Sequence, residues 1–477
     1  MPRFSDVTPV RWSHRGEADG EIRGHRVRVW GGIPGERGVV KIVAEGAQMD
    51  YATWQRADRP HPDRVEPRCR RYHACGGCPL MHVGPTTQRQ ARRELVLQAL
   101  HDEGLDDLEV GAVHPSPDGE DGYRWVAKLG LGYSDEGRIR IGAWGRNTRR
   151  IVPIPECNVV SDAVRGAMVT VAHFVVELAV RPYDPERDEG LLRAIVLRGS
   201  RAHGEVHVTL VASRRVKVLQ DLADEVVASN NKIVGVALHL NDDPGNAIYH
   251  RDEDGAVPFL PLAGRMYVDE VLDGVSYRIG PGDFFQTNPG VAEVLYRQTL
   301  EALELEQGTP FIDLYCGVGG FAVQAARQTG WALGVEEVEG AARQAREAAK
   351  RNKVQAEFLA GQVGQLLPEI GVRLKGSRPV ITVNPARRGL EDGVVEQIVA
   401  LQPRRVAYIS CNPKALARDL ARFRDAGMQA GPVALYDMFP NTPHVEAVVI
   451  LEGAPDDGAS RRAPRRSMVA KPTRRKG

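Results

Sequence analysis

Long apolar runs are missing from this 477-residue chain: no stretch approaches the ~18 apolar residues that a membrane-spanning helix needs. The opening "MPRFSDVTPVRWSHRG" lacks the apolar core of a signal peptide. Cysteine is scarce, six residues in all, which argues against a disulfide-framework scaffold. A cytoplasmic location is therefore expected, with the thiols reduced and available for metal or catalysis. Charge of neither sign is in excess, 63 Lys and Arg against 62 Asp and Glu, so net charge names no partner. Internal repeats are absent, which removes solenoids and propellers. What remains is a chain with 42% hydrophobic residues, long enough for roughly two to four domains with real cores.

The patterning divides it. Residues 1–58 alternate short β-like runs with Gly turns, as in "HRVRVWGGIPGERGVVKIVA", and predict a small β-barrel. The Pro-rich "RPHPDRVEPRC" leads into a cysteine cluster, and a helix is expected over 86–104 with Leu95, Leu97 and Leu100 among its apolar positions. Strand-like runs then dominate to about 280, so 59–285 reads as a mostly β or α+β central domain. From 286 to 453 apolar strands ("PFIDLYCG", "WALGVEE", "RPVITVNP", "RVAYISC") alternate with helical segments, the rhythm of an α/β doubly wound parallel sheet. The end, 454–477, is basic and poor in apolar residues, which predicts a disordered tail with affinity for polyanions.

Chemistry concentrates at the strand ends. "FIDLYCGVGGFAVQAA" closes a strand on Asp313, turns on Gly317, Gly319 and Gly320, and enters a helix. Nineteen residues past Gly317, "GVEE" brings in Glu336, a carboxylate that can take two ribose hydroxyls. These features fit NAD and S-adenosylmethionine about equally, although the full G-x-G-x-x-G spacing is missing. Cys316 reads as a small packing residue. In "GDFFQTNPG", Asn288 and Pro289 suit a helix start, and Gln286 is either a ligand contact or part of the cap.

Open α/β sheets bind ligands outside the carboxyl ends of their strands, where Asn384 of "VNPARRG" and Cys411 of "YISCNP" fall. "YDMFPNTPHVEAVVIL" then resumes as a strand containing Glu446. A thiol and a carboxylate on one rim can support thiolate addition followed by proton removal. Cys411 alone reads equally as a small buried hydrophobe. Cys69, Cys75 and Cys78 (C-x5-C-x2-C) with the distant Cys157 make a thiolate set suited to zinc or an iron–sulfur cluster, and spacing does not separate the two. "RCRRYH", "QRQARR" and "GRNTRR" place basic residues near Tyr72 and Trp144, a combination suited to phosphates and base stacking.

In this order, "DFFQTN", "DLYCGVGGF", "YISCNPKALARDL" and "MFPNTPHVE" resemble the RNA uracil-C5 (5-methyluridine) methyltransferase family of the TrmA/RlmD type, over about residues 280–452. The N-terminal strands and the cysteine spacing extend the likeness over most of the chain, toward the 23S rRNA branch. The resemblance implies a Rossmann-like class I methyltransferase domain, an α+β central iron–sulfur domain and a TRAM/OB-like barrel. It implies S-adenosylmethionine held by Gln286, Asp313, Tyr315, Gly317, Gly319, Glu336 and Asn384, and a [4Fe–4S] cluster on Cys69, Cys75, Cys78 and Cys157. Cys411 would be the nucleophile and Glu446 the base. RNA is the implied partner, rRNA in preference to tRNA, with the protein acting as a monomer and no membrane involved. The chain departs from the family's D-P-P-R, which here reads Asn384-Pro385-Ala386-Arg387, and it has Gln362 and Gln365 where relatives place an acid. The alternatives are a tRNA uridine methyltransferase, an RNA-binding relative weakened in catalysis, and a Rossmann dehydrogenase, which the incomplete fingerprint opposes.

Overall fold

Alternating apolar residues with Gly turns build the first sheet. A computed structural model describes residues 3–243, 245, 247–251 and 257–453, so the basic segment 454–477 lies outside the described residues. Strands β1 (Phe4–Val7), β2 (Arg11–Trp12), β3 (Ala18–Ile22), β4 (His25–Trp30), β5 (Arg37–Ala44) and β6 (Asp50–Arg59) pair in the order β1-β5-β6-β4-β3-β2. Val7, Val27, Val29, Val40 and Ala52 form its small core. The sheet curls until β1 meets β3, where a Cβ on Gly20 would stand 3.1 Å from the Val7 side chain.

Helix α1 (Pro85–Asp102) starts on a proline, whose fixed φ suits a first turn, and strand β7 (Val110–His114) follows. The central sheet comprises β8 (Val126–Tyr133), β9 (Ile139–Trp144), β10 (Ile151–Val152), β11 (Leu192–Gly199), β12 (Val206–Ala212), β13 (Ile233–Leu240) and β14 (Leu260–Gly264). Its order is β10-β9-β8-β11-β12-β13-β14, antiparallel except for β12–β13. Two amphipathic helices, α2 (Asp162–Glu177) and α3 (Lys217–Ser229), bury Val164, Val171, Leu219 and Leu222 against it. Hairpin β15 (Val268–Leu272) and β16 (Val275–Ile279) turns on Asp273-Gly274, both at positive φ (49° and 71°), as a two-residue primed turn requires.

The last region carries α4 (Pro289–Ala302), β17 (Phe311–Leu314), α5 (Gly320–Thr329), β18 (Ala332–Glu336), α6 (Glu339–Arg351) and β19 (Ala356–Ala360). It continues through α7 (Val363–Leu374), β20 (Val380–Val383), α8 (Val394–Ala400), β21 (Arg405–Ser410), α9 (Pro413–Asp425), β22 (Gln429–Tyr436) and β23 (Glu446–Glu452). The sheet order is β19-β18-β17-β20-β21-β23-β22-β7. β17 to β21 run parallel, β23 runs antiparallel to both its neighbours, and β7 pairs parallel with β22. The chain winds outward through β18 and β19 and returns to the other side of β17 at β20. A crevice opens between β17 and β20 at that reversal.

Two segments cross the domain limits that sequence patterning implies. β7 and α1, which read as part of 59–285, belong to the last sheet: β7 covers the edge of β22, and Leu100 and Val113 enter the same core as Leu420 and Leu435. The β15–β16 hairpin likewise shares a core with α4 and α5 through Val268, Tyr277 and Ile279. The sequence reading allows the helix expected over 86–104 to pack on the catalytic domain, as α1 does; it registers neither β7 nor the hairpin, because an edge strand recruited from far away in sequence looks locally like any other strand. Among the described residues no helix is long and apolar enough to cross a membrane.

One buried contact ties α1 to the far end of the chain. Arg92 is fully buried and donates to Asp437 (3.1 Å) and to the carbonyls of Thr442 (2.9 Å) and Phe439 (3.3 Å). Gln88, one helical turn earlier, accepts from the Asn441 amide (2.9 Å) and donates to its side chain (3.2 Å). Together they fasten the link between β22 and β23. Arg92→Met removes a buried cation and leaves the Asp437 carboxylate and the Thr442 carbonyl without this donor, so it should destabilise the protein by about 3 kcal/mol or more in urea denaturation.

Candidate active site

A cleft of about 2260 Å³ lies over the crevice between β17 and β20 and runs out to the N-terminal and central sheets. Gln286, Asp313, Tyr315, Gly317, Glu336, Asn384, Cys411 and Glu446 all line it. Gly319 does not; it faces inward, where a Cβ would stand 3.1 Å from Ala345 and from the Phe358 ring.

The turn after β17 is held from below and from the side. Asp313 is fully buried, accepting from the Thr382 hydroxyl (2.7 Å) and the Ala322 amide at the start of α5 (2.9 Å). Burial pushes its carboxyl up to about 7. With both oxygens engaged by the protein, Asp313 is placed to shape the turn. Tyr315 and Gly317 sit at positive φ (59° and 55°), and a Cβ on Gly317 would meet nothing within 4 Å, so that residue borders open cleft. Glu336, at the end of β18, accepts from the amides of Gly317 (3.0 Å) and Val338 (2.9 Å). Each carboxylate oxygen keeps a further lone pair for a donor in the cleft. A left-handed backbone turn beside an anchored carboxylate is a cradle that suits a ribose-bearing ligand such as S-adenosylmethionine. Gln286 precedes the α4 cap, in which Asn288 accepts from Val291 (3.2 Å), and Asn384 follows β20.

Register explains the other end of the site. β21 and β23 pair antiparallel down to Ser410↔Ala447. One step further on each strand stand Cys411 and Glu446, which therefore leave the sheet side by side. Burial raises the Cys411 thiol, and the neighbouring Glu446 raises it further, while a hydrogen bond from Arg387 and the charge of that guanidinium pull it down. Glu446 is buried, and desolvation pushes it up to about 8 against the pull of Arg387. Arg387 thus serves both acids. Its loop is tied to the turn that follows Cys411 by Asn412, whose side chain caps α9 and donates to the Arg387 carbonyl (2.8 Å).

Sequence reading assigned no role to Arg387 or to His444. His444 Nδ1 accepts from Arg387 (3.2 Å). A signal was present: in an extended segment residues i and i+2 share a side, so "HVE" places His444 on the side of Glu446. One reading needs correction. Tyr72, expected near an RNA-stacking surface, is buried and bonded to His82 (2.7 Å). Trp144 is exposed and lines the cleft, and Arg146 stacks on Trp30 at 4.4 Å.

The expected four-thiol site appears as a neighbourhood rather than a coordination geometry. Among the described residues no group of three or more His, Cys, Asp or Glu is gathered closely enough to hold a metal ion. Yet the half-buried Cys78 and Cys75 are both raised by desolvation and then by one another's neighbourhood, Cys78 by Cys157, Cys75 and Cys69, and Cys75 by Cys157 and Cys69. Thiols have no mutual attraction that would draw them to ligand distances; an ion imposes that geometry. The donor set itself is all-thiol, the chemistry an iron–sulfur cluster takes.

These features define an α/β methyltransferase fold with a glycine turn, an anchored carboxylate and a thiol–carboxylate pair in one cleft. Residues 262–454 match the family model described as tRNA (uracil-5-)-methyltransferase. A protein of Caldanaerobacter subterraneus subsp. tengcongensis described as an uncharacterized RNA methyltransferase is 31% identical over 449 residues, covering 92% of this chain and 96% of the relative. Another, from Halalkalibacterium halodurans, is 30% identical over 449 residues, covering 93% and 95%. The crystal structure of Pyrococcus abyssi tRNA (uracil-54, C5)-methyltransferase in complex with S-adenosyl-L-homocysteine aligns over 93% of this chain and all of that one, at 27% identity and a TM-score of 0.70. The chain belongs to the RNA uracil-C5 methyltransferase family.

The raised Glu446 has a consequence for stability. Between its ordinary value of 4.5 and about 8 the folded protein keeps a proton that the unfolded chain releases. Its contribution is therefore fully present below pH 4.5 and is lost as pH rises through 8. Glu446→Gln should remove that slope, leaving the variant equal to the native protein near pH 4 and more stable above pH 8, by urea denaturation at both pH values.

Proposed function

We propose that this chain methylates C5 of uracil in RNA with S-adenosylmethionine as donor, Cys411 as nucleophile and Glu446 as base. The observation that carries this reading is the strand register that sets Cys411 beside Glu446 in the cleft that also holds the glycine turn and Glu336. S-adenosylmethionine supplies an electrophilic methyl group. Gln286, Tyr315, Gly317, Glu336 and Asn384 are the residues proposed to hold it, with Glu336 directed at the ribose hydroxyls, while Asp313 and Gly319 keep the turn in shape.

Uracil C5 is a poor nucleophile until a thiolate adds to C6. The Cys411 sulfur bonds to C6, the electrons of the C5–C6 double bond move toward the C4 oxygen, and C5 takes the methyl group. Glu446 then removes the C5 proton, the double bond re-forms and the sulfur departs. Arg387 favours the thiolate. The target base must leave its stack, which unpaired RNA permits at least cost.

Incubation with 5-fluorouridine RNA and S-adenosylmethionine should trap a covalent adduct, since fluorine at C5 cannot leave as a proton. Cys411→Ala should give none; RNA binding without adduct in the native protein would sink the proposal. With ordinary uridine RNA, Glu446→Gln should accumulate the methylated adduct and turn over roughly 10²–10⁴-fold more slowly.

The RNA is proposed to be 23S rRNA, with the N-terminal sheet acting as a TRAM-type RNA-binding module and the protein working as a cytoplasmic monomer. A second reading, tRNA, is favoured by the Pyrococcus enzyme, whose description names uracil-54 of tRNA. Methylation of purified 23S rRNA and tRNA, read by nucleoside mass spectrometry, separates the two. Cys69, Cys75, Cys78 and Cys157 are proposed to hold a [4Fe–4S] cluster, supported by their mutual electrostatic influence and all-thiol chemistry. Anaerobically purified protein should then contain about four irons and four sulfides per chain and lose them in Cys78→Ser, whereas zinc alone would refute the cluster.

A further inference from the structure

His444 is half-buried in the wall of the cleft and makes one charged contact, through Nδ1 to Arg387 at 3.2 Å. A guanidinium only donates, so Nδ1 accepts and the imidazole must be neutral with its proton on Nε2. The same guanidinium stands close enough to Cys411, across the cleft they both line, to favour its thiolate. The order of contact is therefore imidazole, guanidinium, thiol. The residue's main chain is held by its amide, which donates to the Thr442 hydroxyl (3.2 Å), and the Phe439 ring lies edge-on to the imidazole at 6.0 Å. Thr442 and Phe439 are the two residues whose carbonyls Arg92 holds.

We propose that His444 is a positioning residue for the nucleophile: its neutral imidazole holds the Arg387 guanidinium against Cys411, and the Arg92 clamp holds His444. This rests on the reading of Cys411 as nucleophile. A flexible arginine between two acids has several rotamers, and fixing one of them concentrates its charge at the thiol. Burial and the surrounding cations Arg387, Arg92, Arg124 and His14 lower the imidazole to about 4, so the accepting form persists throughout the neutral range. Glu446 is the other charged group facing the guanidinium.

The test reads the thiol directly. Alkylation of Cys411 by iodoacetamide, followed by peptide mass spectrometry against pH without RNA or S-adenosylmethionine, reports its ionisation whatever the substrate. In His444→Ala the profile should move to higher pH by about one unit, a roughly tenfold slower reaction at neutral pH. His444→Gln, which keeps an acceptor, should restore most of the rate. In an Arg387→Leu background His444→Ala should have no further effect. His444→Phe keeps the bulk and removes the acceptor, and serves if the alanine variant does not fold. A native profile in the acceptor-less variants, an undiminished shift in the Arg387→Leu background, or failure of Gln to rescue would overturn the proposal. A shifted profile in a protein that forms no 5-fluorouridine adduct would leave the relay standing and remove the methylation reading instead.

Discussion

The antiparallel pairing of β21 with β23 is the constraint on which the site depends. A parallel neighbour would carry the carboxylate to the opposite end of the sheet, since its chain would enter where β21 leaves. The reversal lets a strand that ends on a thiol meet one that begins on a carboxylate. Side chains alternate along a strand, so a slip of one residue would turn Glu446 out of the cleft. Burial of Val406, Ile409, Val448 and Val449 on the two faces of the sheet opposes that slip.

What fixes where β23 begins is the link that precedes it. Residues 437–442 are largely buried, and a buried loop is costly unless its polar backbone finds partners. The partners come from elsewhere in the chain: Arg92 and Gln88 from α1, the Tyr123 hydroxyl on the Pro440 carbonyl, Asn288 on the Met438 carbonyl, and the Leu80 amide on the Asn441 carbonyl. Leu80 lies two residues past Cys78, so the cysteine segment abuts the same link. The methyltransferase sheet is therefore not self-sufficient. Segments from before residue 124 complete its edge and hold the loop that leads into Glu446, beside Cys411.

Much of this was legible in advance because the signals were local. Apolar strand runs ending on Asp313, Asn384 and Cys411, the Gly317–Gly320 turn, and Asn-Pro helix starts at 288 and 412 each carry their structural meaning within a few residues. The strand containing Glu446 belongs with them. What could not be read depends on distance. The Arg92–Asp437 contact spans hundreds of residues, and an arginine inside an amphipathic helix looks like a solvated one. The capture of β7 by β22 is equally invisible, because pairing partners leave no mark on composition. Asp313 was legible as a site residue and not as one whose oxygens are already engaged. Tyr72 misled for a related reason: an aromatic among basic residues suits RNA as well as it suits a buried contact with His82.

For the reaction proposed above, the charges at the thiol also imply an order of events. Two acids, Cys411 and Glu446, share the influence of one guanidinium in a poorly solvated pocket, and each raises the cost of ionising the other. They are therefore not comfortably anionic together. Addition to C6 needs the thiolate, and at that moment a protonated Glu446 is the arrangement with the lower electrostatic cost. Once sulfur is bonded to carbon it carries no charge, the repulsion disappears, and Glu446 can release its proton to solvent in the cleft and stand ionised beside Arg387 to take the C5 proton. Formation of the carbon–sulfur bond thus converts the neighbouring carboxyl from an acid into a base. A guanidinium held fixed between the two groups serves first one anion and then the other without moving.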